Sequence, residues 1–174
     1  DALRVARTRG ELMAQAAKNP GTMTAVMADI ESVKAAITEA RSTVNVANHN
    51  SPREVVVSGA VDAIAALEQT LEKKGLRYKR LEVATAFHSP IVRGAVGPFR
   101  DALEKVTFRA PSIPVFGNAA AEAYPPDPRR MRDILSEQLG EGVKFVSMVE
   151  AMHNGGARVV VEVGPGSVLT GLVG

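Results

Sequence analysis

Across residues 22–83 the apolar positions alternate between the strand period of two and the helical period of 3.6, and no other feature restricts the fold of this chain as tightly. Residues 22–28 (TMTAVMA) have strand composition. Asp29 stands where a helix N-cap belongs, and Ile30, Val33, Ile37 and Ala40 share one helical face. Residues 44–47 read as a short strand, followed by the turn-rich Asn48-His49-Asn50-Ser51-Pro52. Residues 54–58 (EVVVS) form the next strand, closed by Gly59. Val61, Ile64, Leu67 and Leu71 make a second helical stripe, which Gly75 ends, and residues 78–83 return to strand character.

The order β-α-β-β-α-β predicts a ferredoxin-like unit: a four-stranded antiparallel sheet with both helices on one face. That arrangement hosts many activities and fixes none of them. Ahead of it, residues 1–18 read as a helix with Leu3, Ala6, Leu12 and Ala16 on its apolar face, stopped by Asn19-Pro20-Gly21. Beyond it the pattern predicts a helix over 96–106 with Phe99, Leu103 and Val106 aligned, a short strand at 113–116, and helices over 130–139 and 146–154. Residues 158–163 (RVVVEV) read as a strand covered on both faces, and Ser167 as the cap of a last helix. The fold class expected is α/β. Residues 1–21 give a helix of an α/β core, 22–83 the ferredoxin-like subdomain, and 84–174 the return to the core.

At 174 residues and 45% hydrophobic content the chain can bury a real core. It contains no cysteine, which excludes disulfides, a thiolate nucleophile and a Cys-ligated metal site, and no metal site is expected. The net charge is only +2 and aromatics are 4%, so nucleic acid is not an expected partner. No apolar run approaches the roughly 18 residues of a membrane span, so no membrane partner is expected, and the absence of cysteine fits a reducing cytoplasm, the location expected. The chain opens on Asp1, which leads to the expectation that it is a portion of a longer protein.

The strongest chemical candidate is His88, in Ala84-Thr85-Ala86-Phe87-His88-Ser89-Pro90. It follows a strand-like run that Pro90 stops, a position from which a side chain can face a cleft. Alone, one histidine reads equally as a structural residue, and Arg9 as a solvated helix residue. Gly164-Pro165-Gly166 lacks the Lys-Ser/Thr of a P-loop and reads as a turn.

Several segments taken together resemble the acyltransferase domain of polyketide synthases and the related malonyl-CoA:acyl-carrier-protein transacylases of fatty-acid synthesis. Arg9-Gly10-Glu11-Leu12-Met13 resembles the family's R-G-x-x-M helix. Asn48-His49-Asn50-Ser51-Pro52 with Val55-Val56-Val57-Ser58-Gly59 resembles its N-x-N-S-P and V-V-S-G segment. Ala86-Phe87-His88-Ser89-Pro90 resembles its histidine motif. Gln138-Leu139 with Val143-Lys144-Phe145, and Glu162-Val163-Gly164-Pro165-Gly166, are similar to its later elements. The resemblance implies an α/β-hydrolase-like core with the ferredoxin-like subdomain inserted before the histidine.

It also implies a two-step acyl transfer from malonyl-CoA, through an acyl-serine, to the phosphopantetheine thiol of an acyl carrier protein, with no tightly bound cofactor. By resemblance His88 is the general base and acid, and Arg9 the guanidinium that grips the free carboxylate of malonate. Gln138 matches a position whose main chain orients the histidine, and Asn50 matches an asparagine near the site. Phe87 lies beside the acyl pocket, where phenylalanine accompanies malonyl rather than methylmalonyl use; Thr85 departs from the histidine often found in malonyl-type motifs. The family's G-H-S-x-G nucleophile elbow and its oxyanion-hole glutamine are missing, since no serine here stands in G-x-S-x-G. The expected partners are therefore an acyl carrier protein, neighbouring synthase domains and the N-terminal remainder of the domain, without which the chain is expected to be inactive. A non-catalytic ferredoxin-like docking domain is the competing reading.

Overall fold

A computed structural model describes residues 2–16, 20–83 and 85–174; Asp1, Ala17 and Lys18 of the expected first helix, Asn19 of its stop and Ala84 of the histidine segment lie outside them. The chain opens with α1 (Ala2–Ala16), then β1 (Gly21–Val26), α2 (Ile30–Glu39), β2 (Asn45–Ser51), β3 (Glu54–Ala60), α3 (Val61–Lys73) and β4 (Tyr78–Arg80). The strands form one sheet in the order β2-β3-β1-β4, with every neighbouring pair antiparallel. That is the topology the alternating periods predict. Asp29 caps α2 through the Ser32 amide at 2.9 Å, as expected, and Gly75 follows the end of α3.

The sheet has two working faces because side chains alternate along each strand. Val26, Val55 and Val57 point to one side, where they pack with Val33 and Ala36 of α2 and Ile64, Leu67 and Leu71 of α3. Met23, Ala25, Ala47 and Val56 point to the other side, against Leu81, Val83 and Phe87. The residues bearing the histidine motif therefore lie against the sheet face that the helices leave free.

The helical face also carries a buried polar group. The Thr24 hydroxyl donates to Glu68 Oε1 at 2.7 Å, and Arg80 reaches the same carboxylate from β4, with Nε donating at 3.1 Å and Nη2 forming an ion pair. The network ties the short edge strand β4 to α3 and β1. It fixes the point from which the chain departs toward residues 85–89.

After a 3-10 helix at Pro90–Ala95 come α4 (Val96–Leu103), β5 (Phe116–Gly117), β6 (Glu122–Ala123), α5 (Pro128–Glu137), α6 (Phe145–Asn154) and α7 (Val168–Val173). A second core joins α1, α4 and α5 through Met13, Ala95, Phe99, Leu103 and Leu139. Arg132 of α5 donates to the Leu103 carbonyl at 3.2 Å, and Arg100 pairs with Asp133 at 2.6 Å, so α5 is docked on α4.

Four local expectations are corrected. The run Asn48-His49-Asn50-Ser51 is part of β2 rather than a turn, because its backbone pairs with β3; only Pro52 and Arg53 turn the chain. The buried side of α1 is Val5, Leu12, Met13 and Ala16, while Leu3 is exposed: α1 contacts α4 and the 3-10 helix, and that contact sets its rotation. Ser167 makes no cap. Glu162 does so from six residues before α7, accepting from the Leu169 amide at 3.1 Å and the Thr170 amide at 2.9 Å. Finally, residues 158–163 have no strand partner among the described residues, and Val159, Val161 and Val163 are exposed. A strand needs a neighbour to satisfy its backbone, and none is at hand.

The buried network yields a stability prediction. Glu68→Ala leaves the Thr24 hydroxyl unpaired inside the subdomain and should lower the unfolding free energy by about 1–3 kcal/mol. The double change Thr24→Val with Glu68→Leu should recover most of that loss, because no buried polar group is then stranded. Urea titration of the two variants checks it; a double variant no better than Glu68→Ala contradicts it.

Candidate active site

Residues 85–89 cross the free face of the sheet and turn sharply at His88, whose φ is +54°. Few non-glycine residues occupy that region, and those that do are held there by their surroundings. Here the hold is dense. Ala86 and Ser89 are buried, the Ser89 hydroxyl donates to the Ala86 carbonyl at 2.7 Å, and it accepts from the Ile91 amide at 3.2 Å. Gly21 at the start of β1 lies so close that a Cβ there would stand 2.7 Å from the Cβ of Ala86. Ser58 of β3 donates to the Phe87 carbonyl at 2.7 Å.

His88 Nδ1 lies 3.2 Å from the carbonyl of Gln138 and 2.9 Å from that of Glu141. A carbonyl can only accept, so Nδ1 carries the proton and Nε2 keeps its lone pair for chemistry. Gln138 is the C-cap of α5, and its carbonyl belongs to the helix end whose acceptors have no partner within the helix. The second carbonyl is placed from another direction. The Val143 amide donates to Ala47 at 2.7 Å, the His49 amide donates to Val143 at 2.9 Å, and Asn48 bridges to Val143 in parallel. Gly142 permits this approach, since a Cβ there would meet the Val46 carbonyl at 3.0 Å.

A cavity of about 320 Å³ opens beside the imidazole, lined by Arg9, Met13, Met23, Asn48, Phe87 and His88. Arg9 and Met13 are one helical turn apart on α1, so both reach it. Arg9 makes no ion pair among the described residues. Phe87 packs against both the sheet cluster and the helical cluster while lining the cavity. Three of the five residues singled out from the sequence thus meet here, and Gln138 joins through its main chain.

Asn50 does not line this cavity; its amide donates to Glu54 Oε1 at 2.9 Å across the hairpin. Asn48 lines it instead. The irregularity in β2 between Val46 and Asn48 sets Asn48 opposite Val56, on the site face. Sequence reasoning also missed Met13, Met23 and the Glu141 carbonyl. A strand assignment for Asn48-His49-Asn50 would have drawn attention to the first asparagine, but a main-chain acceptor leaves no trace in residue identity.

Burial is the main influence on His88 and pushes its pKa below the ordinary value of 6.5. The two carbonyls oppose that by favouring the charged ring, and the positive charge of Arg9 adds to the lowering. The folded chain therefore holds fewer protons on this group than the unfolded chain as pH falls through 6.5, so stability present above that pH is lost below it. The melting temperature should fall on going from pH 7 to below 6.5 more steeply in the parent chain than in His88→Gln. Equal slopes in the two melting series would contradict the assignment.

The chain matches the sequence family described as the acyl transferase domain over residues 1–173. It is 35% identical over 175 residues to the polyketide biosynthesis malonyl CoA-acyl carrier protein transacylase BaeC of Bacillus velezensis, with 98% of this chain and 59% of that protein covered. The fold superposes on the acyl-carrier-protein S-malonyltransferase of Burkholderia pseudomallei with a TM-score of 0.93 and 33% identity, over 99% of this chain and 57% of the other. It also superposes on a malonyl-transacylase solved with its type II polyketide-synthase acyl-carrier protein, with a TM-score of 0.91 and 30% identity, over 98% and 57%. The chain spans little more than half the length of these relatives. A histidine fixed by main-chain carbonyls beside an arginine that lines the same cavity accords with the match over residues 1–173, which places this chain in the acyl transferase domain family.

Proposed function

We propose that this chain supplies the base, the carboxylate clamp and the acyl pocket of a malonyl-CoA:acyl-carrier-protein acyltransferase. The observation that carries this is the single cavity in which Arg9, Phe87 and His88 meet. A serine outside these 174 residues attacks the thioester carbonyl of malonyl-CoA while His88 Nε2 takes its proton. His88 then returns that proton to the departing coenzyme A thiol. In the second step Nε2 takes the proton of the carrier's phosphopantetheine thiol as its sulfur attacks the acyl-serine, and hands it back to the serine oxygen. The pKa of His88 suits this work, because burial keeps Nε2 unprotonated at neutral pH.

Arg9 faces the same cavity with no carboxylate partner among the described residues, which suits it to the free carboxylate of a malonyl group. We place residues 1–21 and 84–174 in an α/β-hydrolase-like core, with 22–83 as the inserted subdomain. In that arrangement residues 158–163 pair with strands from the rest of the domain, which accounts for their bare valines here. The partners are that remainder, neighbouring synthase domains and an acyl carrier protein, and the setting is the cytoplasm. Among the described residues no helix is long and apolar enough to cross a membrane.

The test uses the polypeptide that includes the serine. His88→Ala should slow transfer by at least about 10² to 10⁴. Arg9→Ala should lose malonyl loading while acetyl loading rises relative to it, since a half-buried guanidinium that a neutral chain leaves without a carboxylate opposes its binding. A uniform fall for both acyl groups would make Arg9 structural. Phe87→Ser should move preference toward methylmalonyl-CoA by about ten- to a hundredfold, as relief of roughly 1–3 kcal/mol of overpacking implies. Because Phe87 also fills the junction between the two cores, competition between the two thioesters should be run beside a melt of the variant.

A further inference from the structure

Ser58 is a hydroxyl on the site face of the sheet, the face that carries Met23, Ala25, Ala47 and Val56. Its neighbours there are Met23, directly across on β1, Asn45, directly across on β2, and Val56 two residues back on its own strand. It is fully buried in the central strand β3, where a regular sheet side chain would be a valine like Val55, Val56 and Val57. The hydroxyl takes no part in the sheet. It donates instead to the Phe87 carbonyl at 2.7 Å, 29 residues away.

That carbonyl belongs to the peptide joining Phe87 to His88. The plane of this peptide is the reference about which His88 φ is set, and φ is +54°, a value that costs of order 1–3 kcal/mol to hold. Were the plane free to flip, the histidine could relax to a negative φ, and the ring would swing away from the Gln138 and Glu141 carbonyls. We propose that Ser58 is a positioning residue for His88: its hydrogen bond to the Phe87 carbonyl locks the peptide plane on which the imidazole is aimed. This rests on the reading of His88 as the base, and it assigns a task to the serine of the V-V-S-G segment. Ser58 does not touch the cavity; it acts through the main chain of Phe87.

The experiment follows the His88 ring by nitrogen-15 NMR in the 174-residue chain, comparing Ser58→Ala, Ser58→Thr and Val57→Ala. Val57 is equally buried on the same strand but faces the helices, so Val57→Ala controls for general loosening of the subdomain. In Ser58→Ala the ring should lose its single Nδ1–H form and become a mixture of tautomers, and its pKa should rise toward the ordinary 6.5 as the ring gains solvent. Ser58→Thr keeps the hydroxyl and should keep the parent tautomer and titration; Val57→Ala should keep both despite a lower melting temperature. A parent-like ring in Ser58→Ala, or the same change in Val57→Ala, overturns the proposal. In the polypeptide that includes the serine nucleophile, Ser58→Ala should lower kcat about tenfold or more with KM unchanged. A displaced ring with transfer at the parent rate would uphold the role of Ser58 and sink the reading of His88 as base.

Discussion

The imidazole of His88 is held by two main-chain carbonyls, and much of the local architecture serves to keep those carbonyls in place. One stands at the end of α5, which is fixed by its docking on α4. The other is set by backbone hydrogen bonds between residues 141–143 and the middle of β2. The helical part and the sheet part of the chain therefore meet at a single ring nitrogen. A carboxylate in the same place would hold the tautomer too, but its full charge would favour the imidazolium strongly. Neutral acceptors orient the ring while leaving burial to decide its charge, and burial favours the free base.

Phe87 shows how closely packing and recognition are joined here. Its ring fills the gap between the sheet cluster and the helical cluster and also walls the cavity beside the imidazole. One side chain thus fixes the angle between two cores and the width of the pocket between them. The next residue pays in backbone strain, and the buried hydrogen bonds of Ser58 and Ser89 hold that strained turn in place.

The ferredoxin-like sheet was legible because its determinants are local. Asp29, Gly75 and the runs of valine declare caps, stops and strands within a few residues of where they act. Arg9, Phe87 and His88 were legible because their side-chain identities fall in recognisable motifs. What escaped depends on distant backbone. The acceptor at Glu141 is chemically the same at any residue. The choice of Asn48 over Asn50 turns on an irregularity in strand pairing, and the cap at Glu162 on a loop that folds back. The strand expected over 158–163 has the right composition, but strand formation is a property of two segments, and a sequence pattern describes one.

Those bare residues have a practical side. Val159, Val160, Val161 and Val163 stand in the open beside backbone groups that no strand among the described residues satisfies, interrupted only by the charge of Glu162. Such a row is a template for lateral pairing wherever the strands proposed to cover it are absent.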